Sequence, residues 1–139
     1  MKKLIAIFML TLLWGASMAS AQNLRDGDYN YIGKISPNGT VRDAKYNALG
    51  FFNPDGTIAN AHNKLVGTVT KDLQILDKDG QRIGFVTVEG EVRDGESHLL
   101  GTIDRSTGKV TDADGKVVGY ANGISMLWIA AYYFFPFFQ

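Results

Sequence analysis

Six polar residues recur at one phase along the chain, and carboxylate chemistry is the first function that they suggest. They are Asp26, Asp43, Asn60, Asp77, Asp94 and Asp112. Carboxylate oxygens are ligands for hard cations such as Ca²⁺, so a ring of these groups facing a common axis would form a metal site. The same short side chains accept backbone N–H groups where a strand enters a turn. We predict the turn role and no resident metal or other cofactor, and keep the aspartates as the candidate ring.

Residues suited to acid–base or nucleophilic catalysis are few. The chain has no cysteine, which excludes disulfides, thiolate zinc sites and thiol nucleophiles. His62 and His98 occupy different positions of the repeat, and neither lies in a nucleophile-elbow sequence. We therefore predict no catalytic residues and no enzyme. The alternative, a carbohydrate-active or other small enzyme, requires a pocket that gathers Asp28, Tyr29, Tyr46, His62 or His98.

These residues belong to a repeat that is marked by glycine. Successive glycines lie 17 residues apart, with 18 before the last: Gly33, Gly50, Gly67, Gly84, Gly101 and Gly119. An apolar residue precedes each of them, and another stands two positions after the first five. Each unit predicts two short strands, because β-branched runs alternate with Asn-Gly and Asp-Gly turns that need positive φ.

The ends of the repeat indicate closure. Leu24-Arg25-Asp26 matches the second strand of a unit, and Val118-Gly119-Tyr120-Ala121 matches the first. The termini would then complete one composite unit, which removes the free sheet edges. We predict an all-β closed radial array of five, or six, short antiparallel hairpins; an open solenoid is the alternative. A glycine inside a strand marks a bulge or a close backbone approach, which would let neighbouring units meet near the axis.

The repeat resembles that of the five-fold β-flower family, small secreted bacterial proteins. The resemblance rests on the G-x-h, h-x-D and h-G elements, where h is apolar, and covers roughly residues 24–121. It implies β-hairpins around a pseudo-five-fold axis. It implies no activity and no catalytic residues.

Residues 1–21 are typical of a secretory signal peptide. A basic Met1-Lys2-Lys3 precedes an apolar run from Leu4 to Trp14, and Ala19-Ser20-Ala21 supplies the small residues before a cleavage site. The sequence predicts a flower domain over 22–121 and an apolar segment over 122–139, exported to the periplasm or surface of a Gram-negative cell. Basic and acidic residues number 14 each, so nucleic acid is excluded as a partner.

The segment from Ile124 to Phe138 carries no charge, and Pro136 predicts that a helix over about 124–135 ends there. A helix that is apolar all round must be buried. Three interpretations are open: the segment completes the core of the flower, touches a membrane, or docks on a partner or a second copy. The residues expected to make its contacts are Met126, Leu127, Trp128, Ile129, Phe134 and Phe135.

The pattern as a whole predicts an exported envelope protein with a non-enzymatic binding or structural role. Its ligand is not specified by the sequence, and an envelope glycan is one partner that we consider. The alternatives are a protein held at a membrane by its apolar tail and the small enzyme described above.

Overall fold

Twelve short strands alternate with tight turns in residues 22–138, the part of the chain that the computed structural model describes. The signal peptide predicted at 1–21 lies outside the described residues. The strands are β1 (Asn23–Asp26), β2 (Tyr31–Ile35), β3 (Thr40–Asp43), β4 (Ala48–Phe52), β5 (Thr57–Asn60), β6 (Leu65–Val69), β7 (Gln74–Asp77), β8 (Arg82–Val86), β9 (Glu91–Asp94), β10 (Leu99–Ile103), β11 (Lys109–Asp112) and β12 (Val117–Tyr120). A helix, α1 (Met126–Phe134), follows them.

The strands form one closed antiparallel barrel. Each strand pairs with its neighbours in sequence, and β1 also pairs with β12. A repeat glycine faces the turn residue of the next strand in every unit, as Gly33 faces Asp43 and Gly84 faces Asp94. Gly119 faces Asp26 in the same register across the seam between the chain ends. The predicted closed array is confirmed, and its hairpins number six, the last assembled from both ends.

A bulge precedes every repeat glycine. The pairing of β3 with β4 passes from Val41–Gly50 to Arg42–Ala48, so Leu49 has no partner. The same irregularity recurs in the five equivalent strand pairs. An extra residue bends a strand and increases its twist, which helps strands of four or five residues to close a barrel.

The inward-facing residues form two apolar layers around the barrel axis. One layer lies two positions after each glycine and contains Ile35, Phe52, Val69, Val86, Ile103 and Ala121. The other precedes the turn aspartates by two positions and contains Leu24, Val41, Ile58, Ile75, Val92 and Val110. All twelve are buried. They share one core cluster with the helix.

Helix α1 supplies the rest of this core. Ser125 caps its first turn by accepting a hydrogen bond from the Trp128 amide, and the chain turns extended at Phe135, before Pro136. Ile129 and the small residues Ala130 and Ala131 are buried within the barrel. The predicted apolar C-terminal helix is confirmed.

The aromatic residues after the buried helical turn lie over the repeat glycines. A methyl group added at five of these glycines would strike an aromatic ring: Tyr133 at Gly119, Phe134 at Gly101, Phe135 at Gly84, Phe137 at Gly67 and Phe138 at Gly50. It would also strike a carbonyl of the paired strand at most of them. Both interpretations of the glycines are therefore partly correct. The bulge is present, but the close approach is to the tail rings and the paired strand, not between neighbouring units.

Candidate functional site

The six phased polar residues face the turns at one rim of the barrel. In each case one side-chain oxygen, Oδ1, accepts two backbone N–H groups, those two and four residues later, at 2.9 to 3.1 Å. In Asp26, Asp43 and Asp94 these hydrogen bonds lower the pKa of the carboxyl group. The largest cause in each case is the backbone N–H four residues later, which belongs to Asn30, Asn47 or His98.

This geometry gives the ring a structural role. In each residue Oδ1 already accepts two backbone hydrogen bonds within its own turn, which is the role that short polar side chains take where a strand ends. Among residues 22–138, no three His, Asp or Glu side chains come close enough together to hold a metal ion. Asn60 makes the same two bonds as the aspartates, so the position requires an oxygen acceptor and not a charge.

The residues considered for catalysis lie in four different turns of that rim. Asp28 and Tyr29 lie between β1 and β2, Tyr46 between β3 and β4, His62 between β5 and β6, and His98 between β9 and β10. His98 is largely exposed, and its Nδ1 lies 3.1 Å from Oδ2 of Asp94.

His98 performs a task that asparagine performs elsewhere in the ring. Asn30 and Asn47 each donate from Nδ2 to Oδ2 of their turn aspartate at 3.3 Å. The ring nitrogen of His98 takes the same place beside Asp94. The Asp94–His98 pair is therefore one version of a repeated turn contact.

The residues expected to mediate tail contacts lie along the interior of the barrel. Trp128 stacks on Phe52 with ring centroids 4.9 Å apart and an interplanar angle of 8°. Ile129 is buried, and Phe134 and Phe135 lie over repeat glycines. Met126 and Leu127 are half-buried and line a cavity of about 310 Å³ where the helix begins.

The most distinctive outer surface is a group of aromatic and basic residues around the seam. We call it the tyrosine sector and define it as Arg25, Tyr29, Tyr31, Lys34, Arg42, Tyr46 and Tyr120. It contains every tyrosine of the barrel strands and turns. Tyr29 and Tyr46 are 60% and 59% exposed, which is unusual for side chains of this size.

Two equivalent pairs organise this sector. The guanidinium carbon of Arg25 lies 4.5 Å from the ring centroid of Tyr29, and Arg42 lies at the same distance from Tyr46. Each arginine also donates from Nη1 to the carbonyl of its tyrosine at 3.1 Å. The guanidinium group therefore fixes both the ring and the turn that carries it.

The tyrosines occupy a backbone conformation that their type disfavours. Tyr29 and Tyr46 have φ of 69° and 71°, in the left-handed region. The equivalent residues in the other four turns are Asn63, Gly80, Ser97 and Gly115. Glycine adopts this conformation freely and asparagine readily, whereas a large aromatic residue here is uncommon, which marks the two tyrosines as candidates for a role at the surface.

A cleft of about 230 Å³ adjoins the first pair. Asn23, Arg25 and Tyr29 line it from one side of the seam, and Thr107, Tyr120 and Asn122 line it from the other. Tyr120 meets Tyr29 edge-on with centroids 5.0 Å apart. The cleft thus lies where the first and last strands meet.

Sequence reasoning named Tyr29 and Tyr46 and missed their partners. Arg25 and Arg42 share the position before the turn aspartate, one repeat apart. That coincidence of Arg and Tyr in two units was a usable signal. The contribution of Tyr120 was not, because it depends on the orientation of its ring against Tyr29 across the seam.

Comparison with known proteins gives a family. A family model described as "5-fold beta-flower protein" matches residues 21–138. No curated protein sequence and no solved protein structure gives a significant match to the chain.

Proposed function

Because the chain belongs to the 5-fold beta-flower protein family, whose description names a fold and no activity, we propose its function from its surface. The protein is an exported, non-enzymatic binding protein of the cell envelope, and its outer wall at the tyrosine sector is the binding surface. The observation that carries this proposal is the presence of two exposed tyrosines in a backbone conformation that four equivalent turns give to small residues.

The position of the tail supports action through the outer wall. Phe135 and Phe137 are each only 8% exposed, and α1 fills the lumen. Within residues 22–138 no helix has the length and apolar character needed to cross a membrane. The apolar side chains of the tail are packed in the core of their own barrel. This packing supports a binding role over tail anchoring.

Export is supported by the N-terminal sequence alone. The basic start, the apolar run and Ala19-Ser20-Ala21 form the pattern that signal peptidase recognises before Gln22. A non-enzymatic role is supported by the distribution of the histidines, which lie in separate turns, and by the contact of His98 with the aspartate of its own turn.

Fractionation of a Gram-negative host that expresses the full chain tests this proposal. We expect the protein in the soluble periplasmic fraction, with the mass of a processed chain whose first residue is Gln22. Substituting Ile7→Arg within the apolar run should hold it in the cytoplasm, whereas Thr57→Ser in the barrel should not. Recovery of the wild-type protein in salt-washed membranes would contradict the proposal, and so would cytoplasmic retention.

Deletion of residues 122–139 tests whether the tail completes the core of the barrel or anchors the protein to a membrane. We expect the truncated protein to lose its folded barrel, seen as loss of a cooperative thermal transition, because the core layers lose α1 and its rings. A truncated protein that stays folded and leaves a membrane fraction would instead establish the anchor.

A further inference from the structure

We propose that the tyrosine sector binds an acidic polysaccharide. Sugar rings stack on Tyr29 and Tyr46, and sugar carboxylates pair with Arg25, Arg42 and Lys34. This inference rests on the proposed function, since it names the ligand class of the same surface. It follows from the ring exposure, the free cationic groups and the spacing of the two pairs.

The tyrosine rings offer the apolar part of such a site. A pyranose ring has one face of C–H groups, and tyrosine combines an aromatic face with a polar edge that tolerates water. Both side chains are about three-fifths exposed although arginine packs on each ring. The guanidinium contact limits ring rotation, so less freedom is lost when a ligand binds.

The cations of the sector supply the charged part. Within residues 22–138 the ion pairs are those of Arg93 with Glu91 and of His98 with Asp94 and Glu96. Arg25 and Arg42 each make a single hydrogen bond there, to a tyrosine carbonyl. A guanidinium carries five N–H donors in a planar fork that matches a carboxylate.

The distribution of charge around the barrel also favours an anionic ligand at the tyrosine sector. Residues 22–48 contain four basic and three acidic residues, and two of the three acids cap turns. Residues 49–121 contain eight basic and eleven acidic residues. An anionic ligand is therefore drawn to the tyrosine sector and repelled by the remaining wall.

The two Tyr–Arg pairs are placed for a polymer and not for a single sugar. Arg25 is on β1 and Arg42 on β3, with Lys34 on β2 between them and paired with Arg42. Two strand spacings separate the pairs by about 10 Å. That span corresponds to successive residues of a chain, and the cleft beside Tyr120 extends it past the seam.

Titration calorimetry on the purified exported protein tests the inference, with polygalacturonate oligomers as probe and dextran oligomers of matched length as the neutral control. We expect binding of polygalacturonate that weakens when NaCl rises from about 50 mM to about 500 mM. The double variant Tyr29→Asn/Tyr46→Asn should bind at least about tenfold more weakly. Its Tm should not fall, because Asn63 shows that this turn accepts asparagine.

Two further variants sharpen the result. Ser97→Asn changes the same backbone position outside the sector and should leave binding unchanged. Arg42→Gln should reduce binding and its dependence on salt together. Normal binding by the double variant would overturn the inference. Equal binding of dextran would show that the acidity of the sugar is not recognised, and equal binding of poly-glutamate would show that the sugar itself is not recognised; either result would also overturn it.

Failure of this inference can be told apart from failure of the proposed function. An exported, folded protein that binds neither probe overturns the ligand class alone. Shortening of the polygalacturonate during the titration would overturn the non-enzymatic role.

Discussion

Replacing Gly84 with alanine tests the relation between the repeat glycines and the tail. A Cβ at this position would lie 2.7 Å from the carbonyl oxygen of Arg93 and 2.8 Å from Cε1 of Phe135. Ordinary contacts begin at 3.4 Å, so the strand must move by about 0.7 Å and the ring by more, because Cζ of Phe135 lies closer to the added Cβ than Cε1 does. Overpacking in a dense interior costs up to about 3 kcal/mol, and two opposed contacts place Gly84→Ala near that value.

Gly115→Ala is the matched control. It has φ of 87° and no atom within 4 Å of an added Cβ, so only the backbone term opposes alanine there. That term is about 1 kcal/mol. For a domain of this size, about 4 °C of Tm corresponds to each kcal/mol. We expect Tm to fall by about 12 °C for Gly84→Ala and by about 4 °C for Gly115→Ala.

A double-mutant cycle assigns the difference to the ring. In a Phe135→Leu background the edge atoms of the ring are absent, and only the Arg93 carbonyl opposes the added methyl. The cost of Gly84→Ala should fall to about 1 to 2 kcal/mol, measured by urea denaturation. The packing described for the tail would be refuted by an equal cost in both backgrounds, or by a cost of Gly84→Ala in the wild-type background no larger than that of Gly115→Ala.

Three further outcomes follow from the hydrogen bonds. Tyr133→Phe removes a bond from the half-buried Tyr133 hydroxyl to the Arg25 carbonyl and should cost about 1 kcal/mol in urea denaturation, more than Tyr132→Phe. Asp43→Asn should keep the stability at pH 7 because Asn60 serves the same turn, whereas Asp43→Ala should lower Tm by several degrees. The turn contacts lower the pKa of Asp43 and Asp94 below 3.8, so their contribution is present above that pH and is lost as pH falls through the folded-state pKa. The urea midpoint should drop below about pH 4, and less so for Asp43→Asn, and an unchanged midpoint would contradict the capping role.

The sequence predicts the strands and their closure because both depend on local rules. Gly39 and Gly56 mark turns with positive φ, and Leu24 and Val118 carry the repeat phase to both ends. The sequence rule that glycine marks a turn with positive φ fails in one turn, between β6 and β7. Leu73 holds φ of 64° in a turn where its counterparts are glycine, and it packs against the core cluster. A tertiary contact outweighs the local preference there.

The site was less predictable than the fold. The contact of Tyr29 with Tyr120 depends on how the two side chains are oriented where β1 meets β12, and the repeat phase that predicts this meeting does not specify those orientations. The direction of the aspartates was predictable, since turns habitually use such side chains. The order of tail rings over the glycines was not, because it depends on where α1 leaves the barrel.

The seam and the internal helix together determine when this chain can fold. The Tyr133 hydroxyl reaches the Arg25 carbonyl across 108 positions of sequence, and the helix that fills the lumen comes after all twelve strands. A chain emerging from the ribosome can neither join β1 to β12 nor pack its interior until the final segment is free. Closing the seam joins the two ends of the chain, and such a contact carries a large loop-closure entropy. Each hairpin can pair as soon as its two strands are available, but the fold is completed only after synthesis of the last segment.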